Sequence, residues 1–177
     1  VLTGHMRCWK QVFPNFKERI IDRYNPDIFI HTWEDEGYRD PNDSLGFANG
    51  SPKIDIREVC DAYDPIELNV ETFEDLHQSF IDRSVDYTQH HVTPKNLISM
   101  LSKMSRGILM MENHMCCTGK FYDLVLRMRP DMIFHEDLPD FDKIKNILKG
   151  CGTYAKQHGL RLTSHPGPFN VLTSPNP

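Results

Sequence analysis

Short β-rich runs alternate with stretches of helical spacing along this chain, and that alternation constrains the fold more than any other feature. The run Asp27-Ile28-Phe29-Ile30-His31-Thr32-Trp33 follows an Asn-Pro turn signal and reads as a strand. Ahead of it, Trp9, Val12, Phe13, Phe16 and Ile20 are spaced along one helix face, with Pro14 opening that helix or kinking it. Residues 35–53, rich in Asp, Asn, Gly and Pro, form a long polar loop of the kind that is often functional. A short helix over 54–62, a strand over 66–70 and a helix over 73–81 follow. Thr93 then caps a helix with Pro94 at its first position. Its stripe of Leu97, Leu101, Met104, Ile108, Met111 and Met115 is expected to face the core. A strand over 122–128, YDLVLRM, runs into Arg129-Pro130-Asp131. Asp140 caps a last helix, with apolar positions Phe141, Ile144, Leu148, Cys151 and Ala155, closed by Gly159. A strand over 160–165 ends at His165-Pro166-Gly167. Strands alternating with helices predict an α/β fold with a mostly parallel sheet.

The 177 residues leave room for one ordinary domain, and a net charge of −5 gives no general reason to expect a nucleic-acid binder. Five cysteines are scattered without CxxC spacing, so neither a zinc site nor a disulfide framework is indicated, and reduced thiols in a cytoplasmic protein are expected. The adjacent Cys116 and Cys117 read as a buried or half-buried pair of small side chains. No apolar run approaches the ~20 residues that span a bilayer, and no stretch reads as a signal peptide. Val1-Leu2-Thr3-Gly4 reads as the end of a buried strand, and Ser174-Pro175-Asn176-Pro177 follows another strand closely, so the chain is expected to be a fragment of something longer.

In α/β sheets ligands gather at the carboxyl ends of strands. Three such ends are polar here: Thr3-Gly4-His5-Met6-Arg7, His31-Thr32-Trp33-Glu34-Asp35 and Arg127-Met128-Arg129-Pro130-Asp131. Gly4 lets the backbone approach a phosphate, and Arg7 can pair with a diphosphate through two hydrogen bonds. Asp131 is either a turn or cap residue or a ligand for Mg²⁺ or Mn²⁺ held against a diphosphate. These segments carry a resemblance. TGHMR, then WKQVFPNFKERIIDRYNPDIFIHTW, then Leu97-Ile98-Ser99-Met100 and YDLVLRMRPDMIF resemble, in order, the motifs of a glycosyltransferase-like family. The likeness covers residues 1–136. It implies a Rossmann-like, glycosyltransferase-A type parallel sheet, a nucleotide-sugar donor, a glycan acceptor and a divalent metal. Carried over, Gly4 and Arg7 would meet the nucleotide diphosphate and Asp131 the metal. RMRPDMIF departs from the pattern by holding one acidic residue where many such enzymes have Asp-x-Asp.

The tail reads differently. His165 at a strand end places an imidazole where (β/α)₈ barrels hold metals, though a structural hydrogen-bonding role fits that position as well. The run LPDFDKIKNILKGCGTYAKQHGLRLTSHPGPFNVLTSPNP resembles UV-damage endonucleases, metal-dependent TIM-barrel enzymes of DNA repair, over residues 138–177. That likeness implies one helix–strand fragment of a TIM barrel. It makes His165 an active-site metal ligand and sets Pro168 and Phe169 where the family probes damaged DNA; many members have Gln in place of Pro168. One helix and one strand do not make that site, so no DNA cleavage is expected. The two likenesses meet at EDLPDF, near His135 to Asp140, which suggests a recombined or chimeric sequence. The expected function is nucleotide-sugar-dependent glycosyl transfer by the front part. The alternatives are UV-damage endonuclease as the parent function of the tail, and a folded but inactive fragment.

Overall fold

The computed structural model describes residues 1–37, 52–72, 75–76, 94–138, 140–159 and 170–172. It is a mixed helix and sheet structure built on a three-stranded parallel sheet, as the strand–helix alternation predicts. Strand β1 (Leu2–Thr3) leads into α1 (Trp9–Phe16), a π-helical turn over Lys17–Ile21 and a final short turn, α2 (Asp22–Tyr24). Pro14 lies inside α1. A proline there removes a backbone donor and crowds the preceding turn, so the helix is perturbed rather than begun at this residue. Strand β2 (Phe29–Trp33), α3 (Ile56–Tyr63) and β3 (Glu67–Glu71) follow, then the long helix α4 (Pro94–Thr118), β4 (Val125–Arg127), α5 (Phe141–Gln157) and β5 (Asn170–Leu172).

Strand order is β1-β2-β3, with Leu2 opposite Ile30 and Phe29 opposite Glu67. The chain just past β4 extends this array on the β1 side. Met128 bridges Leu2 in parallel, accepting from Thr3 N–H at 3.0 Å and donating to Val1 O at 3.0 Å. The carboxyl ends of β1, β2, β3 and β4 therefore share one edge. Strand β5 pairs antiparallel with β4.

Successive strand residues point to opposite faces, and each face has its own apolar layer. On one, Leu2 and Ile30 pack with Trp9, Phe16, Ile20, Val59 and Tyr63. Tyr63 gathers the rings of Trp9, Phe13 and Phe16 at 5.7, 4.8 and 5.6 Å. On the other, Phe29 packs with Met110, Met111 and Val125. Fully burying one such side chain is worth roughly 1.5–3 kcal/mol. Helix α3 starts where Asp55 accepts from Arg57 and Glu58 N–H at 2.9 and 3.1 Å, and α5 where Asp140 accepts from Asp142 N–H at 3.0 Å. Asn15 ties α1 to the segment after β4, its amide donating to Phe134 O at 3.1 Å and accepting from Phe134 N–H at 2.8 Å.

Two expectations are corrected. The expected stripe of α4 holds in part: Met111 is buried and Ile108 and Met115 pack against the same layer, but Leu101 is 50 % exposed, and among the described residues Lys103, Gly107 and Met110 are buried beside Met111. The reason is Gly107: a Cβ there would lie 2.6 Å from Thr3 Cγ2 and 3.0 Å from Val1 Cγ1, so the helix rests its backbone on β1 and rotates that face inward. Cys116 and Cys117 are exposed rather than buried, because they sit in the last turn of α4 beyond the sheet. All five cysteines are free. Helix α5 forms as expected, yet Ile147 and Tyr154 are 65 % and 58 % exposed while Ala155 is buried. The helix expected over 73–81 falls largely outside the described residues, as do Thr93 and the strand expected over 160–165. Among the described residues no helix is long and apolar enough to cross a membrane.

Candidate functional site

A cavity of about 280 Å³ opens at the shared carboxyl edge, lined by Thr3, Gly4, His5 and Arg7 after β1, Trp33 at the end of β2, and Arg127 and Arg129 of the β4 end. Helix α4 roofs it with Ser99, Met100 and Lys103. Its size is at the low end of small-molecule pockets. Four of its lining residues are cationic and none is acidic.

Gly4 makes the turn possible. Its φ of 116° lies in the region that side chains avoid, and it leaves β1 with its N–H donating to His31 O at 3.2 Å and its carbonyl accepting from Thr32 Oγ1 at 2.8 Å. Arg7 follows one turn on, next to Cys8, whose φ of 50° is a further departure from ordinary backbone at this edge. The sequence reading placed Gly4 and Arg7 together at a ligand site, and both line the one cavity.

Lys103 is the residue that periodicity concealed. It is 1 % exposed, and its ammonium donates to Thr32 O and Glu71 Oε2 at 2.7 Å each while lying 3.8 Å above the Trp33 ring. One side chain of α4 thus pins the ends of β2 and β3. Burial pulls its pKa down to about 7. Glu71 opposes that pull as counter-charge, and it also pairs with Arg106. His31 lies against this group, Nε2 3.8 Å from Glu71 Oε2, with Nδ1 buried and without a hydrogen-bond partner. Burial, then the charges of Lys103 and Arg106, lower its pKa to about 3, so the ring is neutral. A glycine inside a helical pattern is a signal for close backbone approach, and Gly107 one turn after Lys103 is the clue that would have exposed this face.

Arg127 donates from Nε to Thr3 Oγ1 at 3.1 Å. Burial, then the neighbouring charge of Arg129, holds its guanidinium below the usual arginine range. Arg129 grips Asp131 through two hydrogen bonds, Nε to Oδ1 at 2.9 Å and Nη2 to Oδ2 at 2.5 Å. Asp131 therefore has both oxygens engaged, and it does not line the cavity. Among the described residues no group of three or more His, Cys, Asp or Glu is placed to hold a metal ion. His165, Pro168 and Phe169 lie outside the described residues.

Most of the loop expected over 35–53 lies outside the described residues, and its described ends lie beside this site. Asp35 bridges Lys53 in antiparallel fashion, Glu36 N–H donates to Pro52 O at 2.8 Å and Ile54 N–H to Glu34 O at 2.8 Å. Asp35 also meets His5 Nδ1 at 3.4 Å, and His5 helps line the cavity. A second cavity, about 210 Å³, lies at the opposite edge near Pro26, Tyr122 and Leu138. It is apolar, and its one carboxylate, Asp27, is bound to Lys120 and Tyr122 at 2.5 Å each. Convergent charge singles out the first cavity.

The chain matches no protein-family model, no curated protein and no solved structure.

Proposed function

We propose that residues 1–136 form a glycosyltransferase-A type unit that binds a nucleotide sugar at the carboxyl-edge cavity and transfers its sugar to a glycan acceptor. The observation that supports this reading most is the convergence of Arg7, Arg127 and Arg129 with the Gly4 turn at one edge of a parallel sheet. In such a transfer the acceptor oxygen bonds to the anomeric carbon and the bond from that carbon to the diphosphate breaks. The departing nucleoside diphosphate carries away the negative charge. Guanidinium groups fixed before the reaction stabilise that charge without reorganising. Asp131 is a poor metal site as it stands, since Mg²⁺ or Mn²⁺ would have to displace Arg129 from both its oxygens.

The test is thermal denaturation of the full chain with a panel of nucleoside diphosphates and nucleotide sugars, followed by an assay of nucleoside diphosphate release. A ligand at one hundred times its Kd adds about 2.7 kcal/mol of stability. The expected result is a raised melting temperature with one nucleotide class, lost in Arg7→Ala, and product release that depends on an added glycan. No shift and no release with any donor would leave a folded, inactive fragment as the better reading.

A second reading concerns residues 138–177. The exposed apolar side chains of α5, Ile147 and Tyr154 among them, suit a helix that covers a sheet in a barrel, which favours the UV-damage endonuclease likeness for that segment. Incubating the chain with UV-irradiated duplex and Mn²⁺ tests it. The expected result is no strand cleavage; cleavage abolished in His165→Ala would establish the repair activity.

A further inference from the structure

The carboxyl-edge cavity brings like charges together. Arg127 and Arg129 line the same wall, and each charge is unfavourable for the other. Arg129 has a carboxylate partner in Asp131, and Lys103 has one in Glu71. Arg127 has no carboxylate within ion-pair distance among the described residues; its Nε is held by the Thr3 hydroxyl. The hydroxyls of Thr3 and Ser99 and the backbone turn at Gly4 complete a lining of donors with no competing acid. Such an arrangement suits a compact polyanion, which gains several charge-assisted hydrogen bonds at once.

Resting on the nucleotide-sugar reading of the same cavity, we infer that a diphosphate group is held here by Arg127, Arg129 and Arg7 directly, with no divalent cation, and that Asp131 is a positioning residue for Arg129 rather than a metal ligand. The geometry of Asp131 carries the second half. Both carboxylate oxygens face the guanidinium edge of Arg129, two residues away, in the two-bond arrangement that fixes the plane of an arginine. Asp35 and Glu71, acidic residues at the neighbouring strand ends, are likewise engaged, with His5 and with Lys103 and Arg106. The charge of the bound diphosphate is met by arginines alone, and Asp131 sets the angle at which one of them is offered.

The experiment is calorimetric titration of the full chain with inorganic pyrophosphate and with UDP and GDP. Each is measured in EDTA and in excess Mg²⁺ at equal pH and ionic strength. The expected result is binding in EDTA, within about threefold of that in Mg²⁺. Arg127→Gln and Arg129→Gln should each weaken it by about tenfold to a hundredfold, the loss of a hydrogen bond to a charged group. Asp131→Asn should weaken binding by less than Arg129→Gln does, since it frees Arg129 from the two-bond clamp without removing it, and the loss should be the same in EDTA and in Mg²⁺. Thermal denaturation of each variant confirms that it is folded. Binding that appears only with Mg²⁺ and disappears in Asp131→Asn would overturn the inference while leaving the nucleotide-sugar reading standing. Metal-free diphosphate binding with no sugar released from any donor would do the reverse. Absence of binding in both conditions would sink both.

Discussion

Gly107→Ala offers a sharp test of how α4 is seated. The added methyl would sit 2.6 Å from Thr3 Cγ2, 3.0 Å from Val1 Cγ1 and 3.7 Å from His31 Cβ. Carbon atoms prefer about 3.5–4.0 Å, so one contact is short by about 1 Å, against a strand side chain with little room to withdraw. Forcing a methyl into a packed site costs about 1–3 kcal/mol. Alanine in a helix interior returns about 0.8–1.0 kcal/mol relative to glycine. The sum runs from near neutral to about 2 kcal/mol destabilising. Gly150 and Gly152 in α5 provide the contrast, since a Cβ at either meets nothing within 4 Å. Alanine there keeps only the helix gain, roughly 0.5–1 kcal/mol each. Amide hydrogen exchange, read separately over α4 and α5, measures both. Gly107→Ala should lower protection of α4 by up to about thirtyfold, and Gly150→Ala should raise that of α5 by about two- to fivefold. Because Lys103 lies one turn before Gly107, the same change should also weaken the proposed diphosphate binding at the cavity. If Gly107→Ala protects α4 as much as Gly150→Ala protects α5, the close packing of α4 on β1 is wrong.

Two further outcomes follow from buried polar groups. His31, with its pKa lowered from 6.5 to about 3, binds a proton in the unfolded chain before it does so in the folded one. Its contribution to stability is therefore complete above pH 6.5 and is lost as pH falls toward 3, at up to about 1.4 kcal/mol per pH unit. His31→Leu should flatten the slope of urea-unfolding stability between pH 6.5 and 5, where ordinary carboxylates scarcely titrate; an unchanged slope would mean the ring is not buried as described. Asn15→Ala removes both hydrogen bonds to Phe134 and should cost about 1–3 kcal/mol, a fall of about 2–12 °C in Tm for a domain of this size. A Tm within one degree of the parent would show that the Phe134 backbone finds other partners.

The strands were legible where side-chain type and turn signals agreed. The Asn25-Pro26 turn and the β-rich residues after it gave β2, and Asp140 gave the start of α5. The edge where ligands gather was legible too, because parallel strands must end together and Gly4, Arg7, Arg127 and Arg129 stand at those ends. The buried face of α4 was legible only in part, through Met111, Ile108 and Met115. A count of apolar positions sets Leu101 inward and Lys103 outward. The fold reverses them because Gly107 admits the sheet, and because Lys103 finds a carbonyl, a carboxylate and an aromatic face within reach. Only tertiary structure supplies those partners. Asp131 shows the same limit: its place after a strand and a proline suits a metal ligand and an arginine clamp equally, and its neighbour Arg129 decides the geometry seen.

The pairing of Asp35 with Lys53 fixes where the intervening sequence leaves the sheet and where it returns. Changing the length of a segment whose ends are already held together costs little, about 0.6 kcal/mol for each doubling. The sheet therefore bears changes in the number of residues between the two at little cost in closure entropy, whereas a side chain at Gly37 would strike His5 of the cavity lining. The bridge stands next to His5, which lines the cavity, so the two described ends of that segment are tied to the same edge of the sheet.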